Sequence, residues 1–307
     1  MAVTSMANSS ILNFNKYNVV SAVSFVPPVF AAVAGYAAGG YEITTVDKFL
    51  FATDAHSTLA TGLSVARNQL AGFASSENGY AAGGYTPSGK VATVDKFLFT
   101  TDARSTLATG LSAGRENSAG FASAENGYVA GGQSVATVEK FLFTTDARST
   151  LATGLSSLRD GPAGFASAEN GYVAGGGRVA TVDKFLFTTD ARSTLATGLS
   201  SGRVWSAAFA SAENGYVAGG DSDSWVFTAT VDKFLFTTDA RSTLATGLSA
   251  ARRGQAGFAS AESGYVVGGQ EGSYVATVEK FLFTTDARST LATGLSAARA
   301  FLAGFAG

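Results

Sequence analysis

The sequence predicts an all-β fold: a six-bladed β-propeller with four antiparallel strands per blade, closed by the C-terminal strand. Three observations predict it: a motif repeated six times, four strand-like runs in each repeat, and a terminal segment that completes the first repeat. Gly-Tyr-x-x-Gly-Gly begins at Gly35, Gly79, Gly127, Gly171, Gly215 and Gly264. Thr-Val-Asp/Glu-Lys-Phe-Leu-Phe follows each copy, with its Val at 46, 94, 138, 182, 231 and 278. From that Val to the next Gly-Tyr the distance is always 33 residues. All variation in length lies between the Gly-Gly and the Val, where 5, 9, 5, 5, 10 and 8 residues intervene.

Residue type sets the expected strand order. Ala-Gly-Phe-Ala-Ser (71–75 and its copies) is small apart from one Phe, which suits the crowded axis. Gly-Tyr-Val-Ala-Gly-Gly reads as the second strand. Thr-Val-Asp-Lys-Phe-Leu-Phe reads as the third; Phe97 and Phe99, two apart, share one side and suit the wider gap between blades. Ser-Thr-Leu-Ala-Thr-Gly-Leu-Ser is expected as the outer strand. Ser-Ala-Glu-Asn-Gly and Thr-Thr-Asp-Ala-Arg supply the turns. No 3.6-residue pattern survives the glycines, which disfavours a helical solenoid.

The chain stops at Ala303-Gly304-Phe305-Ala306-Gly307, a copy of the first strand with no second strand after it. The first Gly-Tyr lacks such a run in front, so residues 303–307 are expected to complete the first blade and remove its free edge. Val29–Ala34 competes for that place but has no matching turn. The chain then divides into an arm, 1–34, and a propeller, 35–307. The arm carries no charge from Tyr17 onward, but Pro27-Pro28 interrupts it, and it reads as an anchor to other subunits or as packing on its own propeller. A membrane span or signal peptide is disfavoured.

Composition narrows the function. With 46% hydrophobic and only 14% charged residues, disorder from low hydrophobicity is excluded. The absence of cysteine removes disulfides and thiolate sites. The single histidine, His56, leaves no Ser-His-Asp triad or histidine cluster, and it stands where other copies carry Arg104, Arg148, Arg192, Arg241 and Arg288. A net charge of −2 gives no long-range pull toward nucleic acid. The Gly-Gly pairs precede no helix and no Gly-Lys-Ser/Thr, so they are not phosphate loops. Asp221 and Asp223 offer too few oxygens for calcium. No catalytic residue, metal or cofactor is expected, and the chain reads as a non-enzyme.

Two charged rings recur with the repeats. Arg67, Arg115, Arg159, Arg203, Arg252 and Arg299 follow the fourth strand; Asp47, Asp95, Glu139, Asp183, Asp232 and Glu279 begin the third. Both lie at one end of the blade, so they read as structural salt bridges, with an anion-binding collar as the alternative. Asp102, Arg104 and Glu125 are expected to form a solvated network at the other end.

Variation between repeats is confined. Across 45–64 and its five copies only three positions change. Against that background, the triplet after the ring arginine varies completely, from Asn68-Gln69-Leu70 and Glu116-Asn117-Ser118 through Asp160-Gly161-Pro162 and Val204-Trp205-Ser206 to Arg253-Gly254-Gln255 and Ala300-Phe301-Leu302. The stretch after each Gly-Gly varies as well. In an antiparallel meander both variable segments emerge on one face and both constant turns on the other. One face of the disc is fixed and the other diversified, which is how repeat proteins commonly present binding residues.

Gly-Tyr-Val-Ala-Gly-Gly, the acidic Val-Asp-Lys-Phe strand and Leu-Ser-x-x-Arg, over residues 35–307, resemble kelch-type β-propeller repeats. The kelch outer-strand Trp is absent here. The near-verbatim recurrence of these runs resembles kelch-like repeats of bacteriophage virion proteins. That resemblance implies a tail- or capsid-associated adhesion or decoration protein, exposed on the particle, or otherwise extracellular or soluble. Its partners would be other virion subunits, through the arm or the constant face, and a host surface glycan or protein, with no nucleic acid and no membrane span. A purely structural assembly protein is the alternative.

The candidate ligand-binding residues all fall on the variable face: Asn68, Gln69, Tyr85, Glu116, Asn117, Trp205, Asp221, Asp223, Trp225, Phe227, Arg253, Tyr274 and Phe301. Trp205 and Trp225, the only tryptophans, are expected side by side and joined by Phe227, with the two aspartates free to accept sugar hydroxyls.

Overall fold

The computed structural model describes residues 32–41, 43–133, 135–222 and 224–307. Among these, six four-stranded antiparallel sheets form a ring and no helix occurs. The inner strands, Ala303–Ala306, Ala71–Ala74, Ala119–Ala122, Ala163–Ala166, Ala207–Ala210 and Ala256–Ala259, pack side by side around the axis. Blade 1 joins distant parts of the chain: Ala303–Ala306 pairs with Ala34–Ala38, Phe305 opposite Tyr36. The Val33 N–H donates to the Gly307 carbonyl at 2.7 Å, so this blade takes in the last two residues of the expected arm. Residues 1–31 lie outside the described residues.

The hydrophobic core lies between neighbouring blades. A Cβ on Gly79 would lie 2.2 Å from the Phe305 ring, and one on Gly127 2.2 Å from that of Phe73. The glycine opening each second strand is thus the seat of the previous blade's inner Phe. Phe305 also stacks 5.4 Å from Tyr36 and 5.9 Å from Phe97 of blade 2. The same arrangement recurs around the ring, and each fully buried Phe contributes roughly 1.5–3 kcal/mol.

The outer strand differs from expectation. It runs Ala103–Thr106, with Arg104 opposite Phe97, and the Leu-Ala-Thr-Gly-Leu-Ser segment leaves the sheet. Asp102 adopts a left-handed φ of 55°, which closes the reversal early. Phe99 therefore lies in the turn, not in the strand. Leu111 then folds inward, its N–H on the Ala92 carbonyl at 2.8 Å, and seals the gap between blades.

Two polar collars hold the ring. Near the variable face, each ring arginine ties the incoming connection to the third strand of the blade it enters: Arg67–Asp95, Arg115–Glu139, Arg159–Asp183, Arg203–Asp232, Arg252–Glu279 and Arg299–Asp47. All twelve side chains are buried, so no collar is open to an anion. Asp95 is typical: one oxygen takes Thr106 of its own blade at 2.7 Å, the other Arg67 at 3.0 Å and the Ser64 N–H at 2.8 Å. Burial alone would raise the Asp95 carboxyl. The Arg67 charge and the Ser64 and Thr106 donors outweigh it and hold the group below its ordinary range, as Arg299 does for Asp47. In blade 1, His56 stands in for the outer arginine, its Nε2 3.1 Å from Asp47.

At the constant face, Asp102 accepts from Tyr36 Oη at 3.0 Å and Lys48 Nζ at 2.8 Å, both on the preceding blade. The same lock joins Tyr80 and Lys96 to Asp146, and continues round to Tyr265 and Lys280 on Asp54. This replaces the expected network of Asp102, Arg104 and Glu125. The donors across the blade gap claim Asp102, while Arg104 turns to Thr106 at 2.9 Å and toward Asp95 at 3.6 Å. Burial, and then the adjoining carboxylate, pushes these phenols well above their ordinary pKa. Tyr265 is pushed up to about 12.

Candidate functional site

Both variable segments emerge on one face and bond to each other. Asn68 and Tyr85 exchange backbone hydrogen bonds of 3.1 and 2.8 Å, and Arg203–Val204 forms a short ladder with Asp221–Ser222. On this face the middle residues of the six triplets close a belt around the axis. Each N–H donates to the carbonyl of the residue before it in the ring: Asn117 to Gln69 (2.9 Å), Gly161 to Asn117 (3.0 Å), Trp205 to Gly161 (2.8 Å), Gly254 to Trp205 (2.8 Å), Phe301 to Gly254 (2.5 Å) and Gln69 to Phe301 (2.6 Å). All six adopt positive φ, between 56° and 67°. Asn and Gly tolerate that region; Trp, Phe and Gln are strained there.

The belt leaves its side chains free to form an axial mouth. Trp205 leans over Gly161, where a Cβ would meet the indole at 2.6 Å, and Phe301 leans over Gly254, where a Cβ would meet the ring at 2.9 Å. The two rings meet edge to face at 5.7 Å. Trp205 Nε1 donates to Asn117 Oδ1 at 3.2 Å, and Asn117 Nδ2 donates to Asp160 at 2.9 Å, which fixes the Asn117 amide. Gln69 completes the rim.

A ledge adjoins the mouth over blades 4 to 6. Asp221 is only 1% exposed, its Oδ2 3.1 Å from both Arg178 and Arg253. Arg178 also donates to the Ser222 carbonyl. Each arginine lies over aromatic rings: Arg178 at 3.4 Å from the Trp225 centroid, Arg253 at 4.9 Å from both Trp205 and Phe227. Trp225, at φ 61°, is 74% exposed. A third cluster holds the tyrosines. Tyr85 lines a notch of about 180 Å³ with Tyr41, Asn68 and Pro87, and Tyr274 meets Tyr41 at 5.9 Å.

The structure thus sorts the sequence-chosen residues into mouth (Gln69, Asn117, Trp205, Phe301), ledge (Asp221, Trp225, Phe227, Arg253) and notch (Asn68, Tyr85, Tyr274). Three expectations are corrected. Asp221 is not displayed to accept hydroxyls, because two guanidinium groups cover it. Glu116 is buried, and burial raises its carboxyl pKa, with Lys90 opposing. The tryptophans are not directly paired through Phe227; Arg253 stands between Trp205 and Phe227, and Trp225 stacks on Arg178. Asp223 lies outside the described residues. Arg178 joins the ledge without having been singled out from the sequence, while Asp160, bonded to Asn117, and Gln255, in the lining of the mouth, stand in the variable triplets but were not among the candidate ligand-binding residues. Among the described residues no group of His, Asp or Glu could hold a metal ion, and no helix is long and apolar enough to cross a membrane.

No protein-family model matches the chain, and no curated protein is similar to it.

Proposed function

We propose that the chain is a non-enzymatic binding module of kelch-like type, carried on a phage virion, that recognises a host surface glycan through its variable face. The observation that carries this reading is the placing of the two tryptophans. Both take left-handed backbone conformations that cost stability, Trp225 remains 74% exposed, and neither belongs to the repeated blade core. Indole faces stack on the apolar faces of sugars, and the guanidinium groups of Arg178 and Arg253 supply donors beside them. A glycan array and a host-cell binding assay test it with the double variant Trp205→Ala/Trp225→Ala. Binding by the parent chain and its loss in a variant of unchanged melting temperature supports the reading; equal binding by both defeats it.

A second reading is a structural assembly protein that packs through its constant face or residues 1–34. Its support is a set of glutamates, Glu77, Glu125, Glu169, Glu213 and Glu262, at equivalent exposed turns, with no side-chain hydrogen bond or ion pair among the described residues. A chain lacking residues 1–31 that assembles normally in its particle removes the arm from this reading.

A further inference from the structure

Between blades 2 and 3 the constant face carries an open groove of about 340 Å³. Residues 75–78 of one blade line it on one side, and Ala124, Glu125 and residues 142–144 of the next line it on the other. Leu142 and Phe143 supply its apolar surface. The Phe143 N–H donates to the Glu125 carbonyl at 3.0 Å, and its ring stacks 5.5 Å from Tyr80 across the gap. Leu142 is 38% exposed, an accessible apolar side chain at the edge of this stack. Glu77 and Glu125, one from each blade, are both exposed. Equivalent residues repeat in the next three gaps: Glu125 and Glu169 with Leu186, Glu169 and Glu213 with Leu235, Glu213 and Glu262 with Leu282. These leucines are exposed to the same degree as Leu142. Blade 1 has no such turn, since Val33 and Gly307 meet there instead, so the gaps on either side of it lack one glutamate.

Charge decides what such grooves can take. The six lysines of this face, Lys96 among them, are each held at 2.7–2.9 Å by an aspartate of the Asp102 type. The outer arginines turn away toward the buried collar, as Arg104 does toward Asp95. Among the described residues the turn glutamates are therefore the uncompensated charge of this face. A second copy packed face to face would set carboxylate against carboxylate, which is unfavourable. A nucleic acid or an anionic membrane is repelled for the same reason. A lysine or arginine side chain matches both parts of the groove: its aliphatic stem can cover Leu142 and Phe143 while its cationic head meets Glu77 and Glu125. We infer that the constant face docks a partner protein through lysine or arginine side chains seated in these four grooves. The glycan reading concerns the other face and is independent of this. The inference rests on the constant-face part of the second reading and names the chemistry of its partner.

The test uses the full chain and a capped, fluorescein-labelled hexalysine peptide, followed by anisotropy. Saturable binding that weakens as salt is raised is expected. Glu169→Lys places a cation beside two grooves and should weaken binding at least tenfold. Glu271→Lys, the same change of charge in a loop of the variable face, should leave it within twofold. The triple variant Leu142→Ser/Leu186→Ser/Leu235→Ser should weaken binding at least threefold with every carboxylate in place; if it does not fold, the contrast between the two lysine variants carries the test. No binding, equal losses in Glu169→Lys and Glu271→Lys, or undiminished binding in the folded leucine variant overturns the inference. Spermine that binds as tightly as hexalysine assigns the grooves to free polyamines and overturns it as well. Assembly of the full chain in its particle, scored without peptide, judges the second reading by itself. A chain that assembles but ignores hexalysine overturns the docking inference and leaves that reading standing; a chain that does not assemble overturns the reading itself.

Discussion

The two faces of the disc are held by different chemistry. At the constant face side chains do the joining: each Asp of the Asp102 type takes a phenol and an ammonium from the blade before it, and Ser75 and Thr101 hydroxyls accept from their own turns. At the variable face, above the buried arginine collar, the belt is made of peptide groups alone. A side chain that forms a joint cannot change without breaking it. A peptide group can carry almost any side chain. Uniform turns and diverse triplets on equally accessible surfaces follow from that difference, whatever the variable face binds.

The largest expected effect that would separate the faces is alkaline. The constant-face phenols have raised pKa values in the folded state, so their stabilising bonds are complete below the ordinary tyrosine value of 10.0. They are lost as pH climbs from there toward the folded values. Melting temperature should fall steeply above pH 10, in step with tyrosinate absorbance. A flat profile to pH 12 would mean that these locks do not hold the ring.

Removing a collar carboxylate comes next. Asp183→Ala leaves Arg159 buried without its ion partner, at a cost of about 3–5 kcal/mol by chemical denaturation. On the belt, Gln69→Pro removes an N–H and imposes φ near −65° where 59° is needed, and should cost about 3 kcal/mol or more. Gln69→Gly, which keeps the N–H, should be neutral or stabilise by up to about 1 kcal/mol. If both Gln69 variants lose stability alike, the side chain matters to the belt and the contrast between faces fails. The smallest effect belongs to Trp225→Ala, within about 0.5 kcal/mol of the parent in a denaturant titration. A larger loss would make the ledge part of the packing.

The repeat period and the double glycine made the blades legible, because both recur at positions where backbone geometry or a neighbour's ring leaves no choice. Gly83 and Gly84, both at positive φ, are such a case. The outer strand was misplaced because a left-handed Asp102 is indistinguishable in sequence from any other turn aspartate. The belt was invisible for a deeper reason: backbone hydrogen bonds carry no residue signature, so diversity hid an invariant structure. The ledge, by contrast, left a trace. Of the thirteen arginines, eleven occupy the two repeated positions, and the two left over, Arg178 and Arg253, are the pair that clamps Asp221. Subtracting the repeat from the sequence would have brought them together.

The belt also bears on how such a chain can change over generations. Every blade offers the ring one identical donor and one identical acceptor, and differences in length are confined to loops outside it. Recombination that swaps one blade for another would therefore carry a new rim residue into the mouth while the circle of peptide bonds closes as before. Six interchangeable positions, each free to hold glycine, an amide or an aromatic, make the axial surface combinatorial: new specificities can be dealt from existing parts without any new fold having to be found.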